Sequence, residues 1–337
     1  MGEHATTALY TLGWALLRRV PERFGRAVFR AIADVAWRRR GPGVRRLEAN
    51  LRRVARTGAA VDPGADDARI RALSRAGMRS YLRYFYEMFR LDALSADQIE
   101  ARVDRTGIER IDRALAEGRG VVAALPHMGN WDLAGAWITR YGIPLTTVAE
   151  RLRPEPLFER FVAFRERLGM EVLPLTGGPQ HSAGVLARRL RQGRLVCLLA
   201  DRDLSAGGVE VLFFGEPARM PAGPAALAER TGAALLPVSL WYEGDRMRIH
   251  VHEKVPVPAA ADRGERVRAM TQETARTFEA AVAAHPQDWH MLQRVFTADL
   301  DPRDGSGSAG SVKETPAVPA APAPRRGRST SRRRTRS

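Results

Sequence analysis

The run VVAALPHMGNWDLAGAW, residues 121–137, ends an apolar stretch on His127 and sets Asp132 five residues later. The run LLADRDL, residues 198–204, ends a second apolar stretch on Asp201, with Asp203 two positions on. An imidazole held rigidly at a strand end beside a carboxylate has the geometry of a general base. The carboxylate fixes the tautomer through one ring nitrogen and leaves the other to take a proton. The spacing of His127 and Asp132 is weak on its own, because 7 histidines and 38 acidic residues supply such a pair by chance. Context carries more. Pro126 limits the backbone, Gly129 relaxes a turn, and Asn130 is a good helix N-cap. Asp132 then falls in the first turn of a helix, where the dipole favours an anion. Two readings of His127 stand at this point: a base, or a histidine that closes the turn and does no chemistry. Asp201 favours the base, since neighbouring parallel strands would bring it within reach.

The elements that must position these residues follow from periodicity. From about residue 118, short apolar runs (121–125, 144–149, 171–175, 194–200) alternate with helical segments. Runs at 209–214, 234–242 and 246–253 continue the series, and helices are expected at about 222–232 and 262–284. Strands alternating with helices predict an α/β fold with a mostly parallel central sheet covered by helices. Ligands in such sheets bind beyond the carboxyl ends of the strands. FFGEPARMPAG, residues 213–223, reads as a glycine- and proline-rich turn near the same edge. Before the sheet, helices are expected at about 43–57 and 67–92. The aromatic cluster Tyr81, Tyr84, Phe85, Tyr86 and Phe89 in the second reads as core.

Residues 1–40 read as amphipathic helices interrupted at Pro21. Val20, Phe24, Val28, Ile32 and Val35 recur at helical spacing beside Arg19, Arg23, Arg26 and Arg30. With Trp14, Phe29 and Trp37, the segment suits a membrane interface, its arginines on anionic head groups. Residues 41–300 form the α/β domain, and 301–337 a basic tail too poor in apolar residues to order itself. Net charge is +16, and Lys254 and Lys313 are the only lysines among 54 basic residues. The excess favours anionic partners, and no specific nucleic acid is expected. No run reaches the roughly 18 apolar residues a bilayer span needs, and no signal peptide is expected. The one cysteine, Cys197, sits in an apolar run and reads as packing, which suits a reducing compartment. No serine elbow, cysteine pair, metal-ligand spacing or phosphate-binding glycine loop occurs, so no metal or cofactor is expected. A histidine base without a side-chain nucleophile implies direct transfer: a substrate hydroxyl gives its proton to His127 and attacks an activated carbonyl.

The segments HMGNWDLAGAW, ERLRPEPLFERFVAFRERLGMEVLPL, LLADRDL, VEVLFFGEPARMPAGPAALAERTGAALLPV and HPQDWHMLQRVF occur in that order over residues 5–297. Together they resemble the bacterial lipid A late acyltransferase family, and more closely its phosphatidylinositol mannoside branch. The resemblance implies a glycerolipid-acyltransferase-like fold and transfer of a long acyl chain, palmitoyl foremost, from acyl-CoA to a mannose hydroxyl of a phosphatidylinositol mannoside. It implies peripheral attachment to the cytoplasmic face of the cell inner membrane. By the same resemblance His127 is the base, Asp132 the second member of the HX4D motif, and Asp201 the acid partnering the histidine. The mannoside enzymes usually carry glutamate at this last position and lipid A relatives aspartate. Arg165, Glu150 and Arg230 match substrate-site positions. Backbone N–H groups near Asn130, or Arg165, are candidate donors to the tetrahedral oxyanion. The alternatives are a related enzyme with a lipid A-like or glycerophospholipid acceptor, and a membrane-binding adaptor that does no chemistry. The Phe-Pro-Glu-Gly-Thr run of the glycerophospholipid enzymes is absent.

Overall fold

The structure, a computed structural model, describes residues 20–56, 63–150, 155–175, 182–203, 207–259 and 262–300. The expected helix before Pro21 and the tail from 301 lie outside the described residues.

Three helices come first: α1 (Glu22–Arg39), α2 (Pro42–Arg56) and α3 (Pro63–Leu91). After α4 (Ala96–Glu100), β1 (Val103–Thr106) and α5 (Glu109–Ala116), strands and helices alternate as β2 (Val121–Leu125), α6 (Trp131–Arg140), β3 (Leu145–Ala149), α7 (Glu155–Arg167), β4 (Glu171–Pro174), α8 (Ser182–Arg191) and β5 (Leu195–Leu199). Then follow β6 (Val209–Phe213), β7 (Glu216–Met220), α9 (Gly223–Thr231), β8 (Ala234–Glu243), β9 (Arg246–Val251) and α10 (Arg263–Ala284).

Seven strands form one sheet in the order β1-β9-β8-β2-β5-β3-β4. From β8 to β4 all neighbours are parallel, and β9 is antiparallel to β8 with β1 alongside it in parallel. The expected mostly parallel sheet is therefore present, with a reversed edge that the apolar runs did not disclose. Every residue of β2 is buried, as a parallel strand covered on both faces requires. Val121, Ala123 and Leu125 face a core shared with α3, α6 and α7. Val122 and Ala124 face a second core shared with α8, α9 and α10.

Two sequence expectations need correction. FFGEPARMPAG is not a turn: residues 216–220 are β7, paired antiparallel with β6 as a hairpin apart from the main sheet. Ala218 and Met220 are fully buried and alternate with more exposed neighbours. This period of two is hidden by the flanking glycine and prolines. The run at 209–214 consequently belongs to that hairpin rather than to the central sheet. Strand β1 had no counterpart in the sequence reading, because an edge strand with only Val103 buried carries almost no apolar signal.

Helix α1 is pinned to α3 from its inner face. Asp34 accepts from Arg75 and Arg79, each in a two-point contact at 2.7–3.0 Å. Phe29 packs on Tyr86, and Trp37 donates to Ser74 Oγ at 3.0 Å. Phe29 and Trp37 thus face the core. Phe24 (61% exposed), Val28 (37%), Ile32 (38%) and Val35 (43%) form an uncovered stripe on the outer side. Among the described residues no helix is long and apolar enough to cross a membrane.

Candidate active site

The register of the central strands sets the site. Leu125 on β2 lies opposite Leu199 on β5, so His127 and Asp201, each two residues farther, emerge level at the carboxyl edge. His127 Nδ1 and Asp201 Oδ1 are 2.6 Å apart, and the His127 backbone N–H donates to Asp201 Oδ2 at 2.9 Å. The shorter aspartate closes the pair fully. Asp201 is completely buried, and its Oδ2 also accepts from the Trp289 indole at 2.9 Å. Burial pushes the carboxyl upward, but the His127 ring and these hydrogen bonds outweigh it and hold Asp201 below the usual carboxylate range. An ionised Asp201 makes Nδ1 the protonated nitrogen, and Nε2 remains free to accept a proton. The His127 side chain is 25% exposed and lines a cavity of about 350 Å³.

A short strap from the end of the domain fixes the histidine loop. His290 N–H donates to the His127 carbonyl at 2.7 Å, and Gly129 N–H donates to the Asp288 carbonyl at 3.0 Å. Asp288 is held by Ser80 Oγ (2.5 Å) and the Tyr242 N–H (3.2 Å). Ser80 also contacts His290 Nε2 at 2.9 Å. Burial, reinforced by the nearby His127, lowers the His290 pKa to about 3, so this ring is a neutral support. In the sequence, Trp289 and His290 stand out only as part of HPQDWHMLQRVF, one of the segments that resemble the family. No spacing rule connects Trp289 to Asp201, 88 residues away.

Gly129 explains the tight turn after His127. Its φ is +60°, and a Cβ there would lie 2.7–2.8 Å from Leu240, including its backbone. Gly129→Ala is expected to cost about 1–2 kcal/mol from the left-handed backbone alone, with the steric displacement added. The check is a lowered Tm in scanning calorimetry together with reduced turnover.

Asp132 points elsewhere than His127. Its carboxylate accepts from Arg165 Nε at 2.7 Å and Nη2 at 3.3 Å, and from Tyr84 Oη at 2.8 Å. Burial opposes the Arg165 charge, but the Asp132 carboxylate more than offsets it and raises the guanidinium pKa above its usual value. Arg165 is therefore paired with buried Asp132, and both line the cavity. Asn130 caps α6 by accepting from Leu133 N–H at 2.9 Å, and its amide donates to Glu87 at 3.0 Å. Tyr84, read as core, is buried and also the hydroxyl that orients Asp132.

The cavity opens at Glu150, the residue after β3, and is lined further by Trp131, Thr147, Met170, Cys197 and Leu199. Cys197 is a wall residue whose thiol pKa burial pushes up to about 12, which keeps it a neutral thiol. Arg202 and Asp203, which follow Asp201, line the same cavity. Arg230 does not. It is an exposed residue on α9 that donates to the Ala183 carbonyl at 3.1 Å. Helix α9 covers the second core, on the sheet face away from the cavity. Among the described residues, no cluster of histidine, cysteine and acidic side chains could hold a metal ion.

The arrangement is a buried-acid-oriented histidine above a partly apolar cleft. The family model for bacterial lipid A biosynthesis acyltransferases matches residues 1–298. The chain belongs to this family. It is 47% identical over 300 residues to a phosphatidylinositol mannoside acyltransferase of Mycolicibacterium smegmatis, an alignment covering 89% of this chain and 94% of that protein. A Mycobacterium tuberculosis protein of the same name is 46% identical, covering 88% and 90%. A lipid A biosynthesis acyltransferase of Haemophilus influenzae is 22% identical, covering 62% and 64%. For an acyltransferase, the cavity supplies three chemically distinct zones within one cleft. His127 presents an imidazole paired with a buried carboxylate, the Arg165–Asp132 pair a fixed charged wall, and Met170, Cys197 and Leu199 an apolar lining.

Proposed function

We propose that the protein moves a long acyl chain, palmitoyl foremost, from acyl-CoA to a mannose hydroxyl of a phosphatidylinositol mannoside. The observation that carries this reading is the His127–Asp201 contact at the rim of a cleft that is charged on one wall and apolar within. The names of the two mycobacterial relatives support the acceptor class.

In the step itself, His127 Nε2 takes the hydroxyl proton as the oxygen bonds to the thioester carbon, which avoids a free alkoxide. Asp201 stabilises the resulting imidazolium. The carbon–sulfur bond then breaks, the imidazolium gives its proton to the departing thiolate, and an ester and free CoA remain. Arg165 has two donors committed to Asp132, so the pair's task is to present a fixed guanidinium at the cleft wall, favouring the oxyanion through its field. Asp132 is a positioning residue in this scheme, acting through Arg165. Glu150, exposed at the mouth, suits hydrogen bonds from sugar hydroxyls. Arg230, on the opposite sheet face, has no part in it.

The uncovered stripe of α1, with Arg23 and Arg30 exposed on the same helix, supports peripheral attachment to an anionic bilayer surface. The location proposed with it is the cytoplasmic face of the inner membrane, where acyl-CoA is available. The deciding experiment is mass spectrometry of lipids after incubating purified protein with palmitoyl-CoA and mannosylated phosphatidylinositol. A product heavier by one palmitoyl group is expected. Acylation only of a lipid A-like or glycerophospholipid acceptor, or only with an acyl carrier protein donor, would reject the assignment. Liposome binding without any acyl transfer would leave an adaptor.

A further inference from the structure

Among the described residues many arginines meet carboxylates: α1 to α3 alone are tied by Arg40, Arg71, Arg75 and Arg79 to Glu48 and Asp34. Arg202 departs from that pattern. It lines the catalytic cavity, and its Nε is buried with no hydrogen-bond partner among the described residues. Its neighbour Asp201 is engaged by His127 and Trp289 instead.

The backbone that carries Arg202 is nonetheless fixed on both sides. Ala200 N–H donates to the Leu125 carbonyl at 2.8 Å, and Asp203 N–H to the Arg219 carbonyl at 2.9 Å. The first bond ties the segment to β2, which ends two residues before His127, and the second ties it to β7. A buried guanidinium donor without an acceptor is costly, and that cost disappears when an anionic oxygen arrives. Holding such a group on a preset backbone is the arrangement of a binding site rather than of a structural ion pair. A planar guanidinium with its edges unspent matches the paired oxygens of a phosphate.

We propose that Arg202 binds a phosphate group of a substrate while the reacting carbonyl and hydroxyl meet at His127. This rests on the acyltransferase reading, under which both substrates carry phosphate: the nucleotide portion of acyl-CoA and the phosphodiester of the mannosylated lipid. Arg202 is then a substrate-binding residue distinct from Arg165. The two differ in their partners, since Arg165 is paired with the Asp132 carboxylate and Arg202 Nε has no hydrogen-bond partner among the described residues.

The test compares full-length wild type with Arg202→Gln and Arg202→Lys. KM and kcat are measured against palmitoyl-CoA, palmitoyl-pantetheine (which lacks the phosphates) and mannosylated phosphatidylinositol, and CoA binding is titrated by calorimetry. Arg202→Gln is expected to raise one KM by about 10-fold to 100-fold, the worth of a charged hydrogen bond, with kcat little changed. Arg202→Lys should recover part of the loss. Because Arg202 Nε has no partner to lose, Tm should hold. A rise for palmitoyl-CoA that vanishes with palmitoyl-pantetheine, accompanied by weaker CoA binding, assigns the donor's phosphate. A rise confined to the mannosylated lipid, with CoA binding intact, assigns the acceptor's phosphodiester. Unchanged KM values for both substrates overturn the proposal. So does a fall in kcat alone that persists with palmitoyl-pantetheine, which would make Arg202 an oxyanion donor. If wild type transfers acyl groups to no acceptor, the acyltransferase reading fails separately. Arg202 is then judged by titration with CoA and with phosphatidylinositol vesicles, where equal binding by wild type and Arg202→Gln overturns it.

Discussion

Replacing His127 with alanine is expected to slow acyl transfer by about 10²–10⁴-fold, the usual contribution of a positioned general base. Slow hydrolysis of acyl-CoA without acceptor should fall with it, since water would use the same proton acceptor. The fold should survive. Asp201 keeps two donors after the imidazole is gone, the residue 127 backbone N–H and the Trp289 indole, each at 2.9 Å. The buried carboxylate is therefore not left bare, although it loses its 2.6 Å ring contact. The measurement is kcat for lipid acylation alongside a circular dichroism spectrum and a melting curve. A variant with a native spectrum and undiminished kcat would remove His127 as the base.

Asp201→Asn is expected to be comparably severe, about 10³–10⁴-fold in kcat by the tautomer argument of histidine–aspartate pairs. Both N–H donors converge on Oδ2, so the asparagine oxygen must occupy that position and its NH₂ must face His127 Nδ1. The ring can then only accept at Nδ1, which leaves its proton on Nε2, where the substrate proton should go. The same substitution carries a pH signature. The folded Asp201 pKa lies below the ordinary value of 3.8. Its stabilising contribution is therefore fully present above that value and is lost as pH falls through the lower folded value. In melting curves taken downward from about pH 4, wild type should lose stability more steeply than Asp201→Asn. Equal slopes would mean that Asp201 is not held ionised by its neighbours.

The parts of the site that were legible in the sequence are those that depend on one strand end at a time. Apolar runs ending on His127 and Asp201 identified two carboxyl ends. Parallel pairing then made their adjacency a matter of register, realised as Leu125 opposite Leu199. Asn130 was recognisable as a cap because its chemistry is local, and it does accept from Leu133 N–H. Arg165 and Asp132 were each singled out, but their mutual pairing was not. They sit on α7 and α6, and only the packing of these helices on one sheet face joins them at 2.7 Å. Arg230 went the other way. Its segment resembles the family as well as any, but α9 lies across the sheet from the cleft.

Sequence by itself determined the alternation of strands and helices, the strand-end positions of His127 and Asp201, and an amphipathic first helix. Each of these is written in periodicity or in residue type at a strand end. Tertiary structure alone decided the reversed β9–β1 edge, the β6–β7 hairpin, the Trp289–His290 strap behind the histidine and the place of Arg202 in the cleft, its Nε without a hydrogen-bond partner among the described residues. These depend on which segments far apart in the chain exclude water from one another. A hydrogen bond's partner is chosen by that exclusion, and no local pattern records it.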